Sequence, residues 1–313
     1  MIFTEIDILK DAVENSDLLM LDALLIPVER TQNRSQSFRS ALMLSAHNIK
    51  HLNKIPMLDA ECIILNLEDG VAHEQKPFAL RLAALTLSKL PKSDKKLVVR
   101  VNALDEGGRE EIDFLNTYQP DAIRVPKIRS IEDVNDTLAL LDETIELHLS
   151  IETKEAWLIL DKLALNHRVK AYYLGILDLF ADMGLSQQLI HPDNPTMHYM
   201  LSHFLVTSKA VGVKPVSFVF QDYKDTEIFQ QWLTLEKQMG FQSKGCLSPT
   251  QVESVHSAFH VEDADLKKAE AIVQIFELMR EEGMTGFTHI HYGFIDEPIY
   301  KGALAVLKDM ERS

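Results

Sequence analysis

The chain is short of positive charge: 32 Lys and Arg against 47 Asp and Glu give a formal net charge of −15. That balance argues against a nucleic-acid or anionic-membrane surface, because phosphates need a basic face. An anionic small ligand held by a few local Arg and Lys is still allowed. Cysteine is scarce as well. Cys62 and Cys246 both fall in apolar, strand-like runs, which suits buried free thiols in a reducing cytosol rather than a disulfide framework. The acidic first 28 residues, whose apolar part Asp22 interrupts, read as neither a signal peptide nor a membrane span. No internal repeat or low-complexity tract stands out, and no strand is followed by the Gly-rich phosphate turn of a dinucleotide-binding sheet. A cytoplasmic globular protein is expected, with 46% hydrophobic and 25% charged residues in its 313.

What is present is alternation. From Arg39 onward, short apolar runs alternate with helical patterns. Strands are expected over Ser40–Leu44, Glu61–Leu67, Leu97–Val101, Ala122–Val125, Leu147–Ile151, Val169–Leu174, Pro215–Phe220 and Ser243–Leu247. Helices are expected between them. Pro77 falls in the first turn of Lys76–Leu90, and Ser130 with Asp133 makes a capping box for Ile131–Leu141. After Val169–Leu174 the next helix is expected to start at Ala181. Eight such alternations over roughly 220 residues fit an α/β fold of the (β/α)8 TIM-barrel type. The expected organisation is an N-terminal extension over 1–37, a barrel over 38–260 and a C-terminal helical segment over 261–313. Thr31–Ser37 is polar and reads as a linker.

Barrel enzymes place their chemistry at the carboxyl-terminal ends of the strands. Glu152 follows one strand there and Asp178 the next, 26 positions on, or about one βα repeat. Two anionic oxygen ligands on one rim suit a hard divalent cation that keeps several waters, as Mg²⁺ does. Acids at strand ends also commonly cap the following helix, and that use is open for both. The same rim collects Glu68 and Asp69, Arg100 and Lys127. Acids that hold a cation, facing an arginine that can hold an oxyanion, form a coherent site.

Several short motifs carry a family resemblance. They are Arg39-Ser40, Leu67-Glu68-Asp69-Gly70-Val71, Val99-Arg100-Val101-Asn102, Val125-Pro126-Lys127 and Ile151-Glu152-Thr153. Leu174-Gly175 with Asp178-Leu179, Ala181-Asp182-Met183-Gly184 and Ser248-Pro249 with Gln251-Val252 complete the set. In this order and spacing the chain resembles the citrate lyase beta-subunit-like branch of the HpcH/HpaI aldolase superfamily, which also contains malyl-CoA and citramalyl-CoA lyases. The resemblance implies a carbon–carbon lyase acting on a hydroxy acid or its coenzyme A thioester. It implies Mg²⁺, or Mn²⁺ in its place, on Glu152 and Asp178, with Arg100 over the reacting carbonyl. Glu68 and Asp69 would orient metal-bound water, and Arg39, Lys127 and Ser248 would line or support the substrate site. Gly293-Phe294-Ile295-Asp296 before Pro298 is similar to the family's lid motif, so that Asp296 would serve as an acid/base group in a neighbouring subunit. A homo-oligomer, a trimer or hexamer, is then expected. The chain departs from the pattern at Ser45-Ala46-His47-Asn48, where a Pro-Gly turn is usual, and at Leu177, where Glu is common. Both bear on the thioester end of the pocket and leave open a CoA-independent pyruvate aldolase or a non-catalytic metabolite-binding barrel.

Overall fold

The computed structural model describes residues 1–35 and 37–310. Gln36 of the expected linker and residues 311–313 of the expected C-terminal segment lie outside the described residues. Two compact units are present: residues 1–34 with 39–258, and residues 35–38 with 259–313.

In the first unit eight strands follow in chain order: β1 (Ser40–Ser45), β2 (Cys62–Asn66), β3 (Lys96–Arg100), β4 (Ala122–Val125), β5 (Glu146–Ile151), β6 (Val169–Leu174), β7 (Lys214–Val216) and β8 (Lys244–Cys246). All neighbours pair in parallel, β1 pairs with β8, and a single parallel bridge from Ser217 to Lys244 joins the remaining two edges. Every residue of β2, β3, β4 and β5 is buried, as expected where helices cover one face of a parallel sheet and the barrel interior the other. The fold is a TIM barrel.

Local chemistry sets the helix starts around the rim. Ser130 and Asp133 form the capping box of Ile131–Leu140. Thr153 caps Lys154–Leu158 by accepting from Ala156 N at 3.2 Å. After β6 the helix spans Ile176–Asp182, five residues earlier than the sequence suggested. Its buried Ile176, Leu179 and Phe180 fall at helical spacing directly after the Gly175 turn, so the apolar face starts the helix there and Asp182 ends it.

The N-terminal stretch packs into this unit and closes the floor of the barrel. Arg30 donates from Nε to Leu90 O at 3.0 Å and from Nη1 to Gln119 O at 2.5 Å, and lies 3.5 Å from Asp121, both side chains fully buried. Asn33 N donates to Asp121 Oδ1 at 2.8 Å, and Lys96 Nζ donates to Asn33 O at 3.1 Å.

The second unit pairs helix Asp263–Glu281 with helix Glu297–Met310 and the antiparallel hairpin β9 (Gly286–His289) and β10 (Gly293–Asp296). Phe276, Ile295 and Tyr300 form its core, with the Phe276 and Tyr300 rings stacked at 4.5 Å.

Candidate active site

At the carboxyl-terminal mouth of the barrel lies a cavity of about 300 Å³, lined by Asp69, Arg100, Arg124, Glu152 and Asp178 among others. Met43, Leu174, Phe218 and Leu247 supply its apolar wall. Five strands therefore deliver charge to one space: β2, β3, β4, β5 and β6.

Glu152 is held from several sides. It directly follows β5 and is 3% exposed. Its Oε1 accepts from Lys127 N at 2.8 Å, and its Oε2 is 3.8 Å from Arg100 Nη2. Lys127 presents that amide with a left-handed φ of 53°, an uncommon backbone state for a residue with a side chain. Gly175 makes room for the carboxylate. A Cβ at 175 would stand 2.6 Å from Glu152 Cβ and 2.7 Å from Oε2, so the position admits no side chain as things stand. Thr153 takes the helix cap, which frees Glu152 from that use. Asp178 sits in the first turn of Ile176–Asp182, on the same cavity.

Arg100 ends β3 and is 5% exposed. Its Nη2 makes a short ion contact to Glu68 Oε2 and lies 3.4 Å from Asp69 Oδ2. Burial pushes the Glu68 carboxyl up to about 7; Arg100 opposes this, while the carboxylates of Glu152 and Asp69 add to it. Lys127 Nζ reaches Glu68 Oε1 at 3.6 Å and Glu106 Oε2 at 3.5 Å from a half-exposed position at the rim.

Of the residues singled out in the sequence, Arg39 and Ser248 lie outside this cavity within the barrel unit. Arg39 precedes β1, at the opposite end of the barrel, where its Nε donates to Glu61 Oε1 at 2.9 Å. Ser248 caps helix Pro249–Ala258 by accepting from Gln251 N at 3.2 Å. Asp296 ends β10 in the second unit and accepts from Ile299 N at 3.2 Å, so it caps the last helix. Two cavity residues escape the sequence reading: Gly175 as the seat of a carboxylate, and Arg124. A charged residue inside the four-residue buried strand Ala122–Val125 was the available signal for Arg124.

A divalent cation fits these residues. The donors are two hard carboxylates on one cavity, and the seat over Gly175 leaves Glu152 turned to it. No group of three or more His, Cys, Asp or Glu is placed for a metal among the described residues. An ion here would complete its shell with water and substrate, which is the habit of Mg²⁺ rather than of Zn²⁺.

Known proteins resemble the chain over most of its length. A family model described as HpcH/HpaI aldolase/citrate lyase matches residues 39–249. A (3S)-malyl-CoA thioesterase from Cereibacter sphaeroides is 29% identical over 80% of this chain and 87% of its own. A crystal structure of a citrate lyase from Burkholderia xenovorans superposes with a TM-score of 0.73 over 93% of this chain and 94% of that one, at 18% identity. The CitE protein of Mycobacterium tuberculosis, solved in complex with magnesium, acetoacetate and coenzyme A, gives a TM-score of 0.69 over 88% of this chain and 98% of that one, at 22% identity.

Proposed function

The chain belongs to the HpcH/HpaI aldolase/citrate lyase family, and from that premise we propose that it is a Mg²⁺-dependent lyase that breaks or forms a carbon–carbon bond in a hydroxy acid or its coenzyme A thioester. The observation that carries this reading is the convergence of Glu152, Asp178 and Arg100 on one cavity. Relatives bearing malyl-CoA thioesterase, citrate lyase beta-subunit and citramalyl-CoA lyase names support it.

In this reading Glu152 and Asp178 hold the ion. When bound, Mg²⁺ supplies Lewis acidity to the hydroxyl and carboxylate of the substrate, and Mn²⁺ substitutes for it. Arg100 faces the oxygen on which charge develops as the bond parts and an enolate forms. Its planar fork of donors stays charged and needs no reorganisation, because Glu68 and Asp69 fix it beforehand. Lys127 acts through its backbone, which clamps Glu152, more than through its half-exposed amine. The apolar wall keeps bulk water from the enolate. Asp296, supplied by a neighbouring copy in a trimer or hexamer, takes the hydroxyl proton as the bond parts and returns a proton to the enolate carbon. The exposed Ile290 and Phe294 of its hairpin, 89% and 60% exposed, support cover by another copy.

Malyl-CoA, citramalyl-CoA and free hydroxy acids assayed side by side test the proposal. Release of a 2-oxo acid that stops with EDTA and returns with Mg²⁺ is expected. Thermal stabilisation by Mg²⁺ without turnover of any hydroxy acid would instead favour a binding barrel.

A further inference from the structure

The cavity contains one charge that the chemistry above does not use. Arg124 stands in β4, in register with Arg100 on β3, and is 5% exposed. Its Nε donates to Ser150 Oγ at 2.8 Å, and its guanidinium carbon lies 4.3 Å from the centre of the Tyr173 ring. Among the described residues no carboxylate lies within ion-pair distance of it, and neither Nη group donates to protein. The other buried cations are answered by acids. Arg100 has Glu68, Lys244 has Glu236 at 2.6 Å, Lys96 has Glu146 at 2.7 Å, and Arg30 has Asp121 at 3.5 Å.

A buried cation with no carboxylate at ion-pair distance is costly, and a ring face with one hydroxyl offsets only part of that cost. The cost is tolerated most easily where a ligand brings the missing charge. Burial lowers the Arg124 guanidinium to about 10, with Arg100 as a like-charged neighbour adding to the shift and Glu152, Tyr173 and Glu68 opposing it from beyond ion-pair distance, and it still carries its charge at neutral pH. The ring beneath it is anchored from the barrel floor: Tyr173 Oη contacts His148 Nδ1 at 3.3 Å, and His148 Nε2 is 3.6 Å from Glu146.

We propose that Arg124 binds a second carboxylate of the substrate, apart from the hydroxy-acid end, and so selects hydroxy acids that carry two free carboxylates. This rests on reading the cavity as a hydroxy-acid site. Arg124 then sets KM for the diacid, and its loss costs a diacid more than a monoacid.

Titration of the full chain with pyruvate, oxaloacetate and 2-oxoglutarate in the presence of Mg²⁺ tests it, comparing wild type with Arg124→Met and Arg124→Lys. Wild type should bind at least one diacid more tightly than pyruvate by roughly tenfold or more, the worth of one charge-assisted hydrogen bond. Arg124→Met should lose that preference, its diacid affinity falling by clearly more than its pyruvate affinity. Arg124→Lys, which keeps the charge without the fork, should retain part of it and serves if the Met variant does not fold. An undiminished diacid preference in either folded variant, or no preference in wild type, overturns the inference. If wild type releases no 2-oxo acid from any substrate, the lyase reading fails alone, and a diacid preference lost with Arg124 still upholds the role of this residue.

Discussion

Gly175→Ala is the substitution in which sterics and chemistry separate most cleanly. The backbone at 175 has φ −91° and ψ 70°, which alanine can adopt. On backbone entropy alone the change should therefore stabilise by about 0.4–1 kcal/mol. The added methyl, however, would meet Glu152 Cβ at 2.6 Å and Oε2 at 2.7 Å. Carbon–carbon contacts settle near 3.5–4.0 Å, so either the carboxylate swings away or the turn moves. Overpacking of this kind costs about 1–3 kcal/mol, which reverses the sign of the entropic gain. Glu152 has little freedom to yield, because Lys127 N holds its other oxygen at 2.8 Å. Misorienting a ligand at this scale weakens metal affinity by about 10–100-fold. Differential scanning fluorimetry across a Mg²⁺ series reads both quantities. The melting temperature should drop by a few degrees, and the Mg²⁺ midpoint should rise by at least tenfold. A variant as stable as wild type with an unchanged Mg²⁺ midpoint would refute the idea that Gly175 seats the ligand carboxylate.

Other perturbations reach different parts of the molecule. Arg100→Ala should lower kcat by about 10²–10³, as removal of one oxyanion donor does, with KM less affected; steady-state kinetics at saturating Mg²⁺ check this. Arg30→Ala strands the buried Asp121 carboxylate and should cost about 3–5 kcal/mol in urea unfolding while leaving Mg²⁺ binding intact. Burial holds the His148 imidazole down to about 4 against its usual 6.5, so the unfolded chain takes up this proton first. Against burial, His148 and Lys96 hold Glu146 down to about 2 from 4.5. Both groups contribute stability that is complete above pH 6.5 and is lost as pH falls, His148 through about 4 and Glu146 through about 2. Glu68, raised to about 7, takes up its proton first in the folded chain and so opposes the His148 loss down to its unfolded value of 4.5. Calorimetric melting temperatures should thus hold nearly level over that range and decline below it, and His148→Phe should turn the upper limb into a gain on acidification.

Much of the barrel was legible because its strands are short, fully buried runs set between amphipathic helices. Strand ends in turn indicated where Glu152, Asp178, Arg100, Glu68 and Asp69 would meet. Legibility failed after β6, where Ile176, Leu179 and Phe180 start a helix that ends at Asp182, close to where the sequence placed its beginning. Arg124 was hidden because a strand reading weighs apolar neighbours and has no register; only the pairing with Arg100 shows that both guanidinium groups face inward. Arg39 and Ser248 lie in family motifs, yet their contacts are an ion pair below the barrel and a helix cap, features that a motif match does not distinguish from substrate contact. The role of Arg30 depends on a chain segment crossing the barrel floor, a long-range contact that no local pattern encodes.

The most direct measurement is metal binding itself, by Mn²⁺ titration followed by electron paramagnetic resonance with Mg²⁺ competition, on wild type, Glu152→Gln, Asp178→Asn and the double variant. If both carboxylates hold one ion, wild type binds one Mn²⁺ per chain, each single substitution weakens it severely, and the double variant is little worse than either. Wild-type affinity in either single variant, or fully additive losses from two separate sites, would contradict a shared metal centre at the mouth of this barrel.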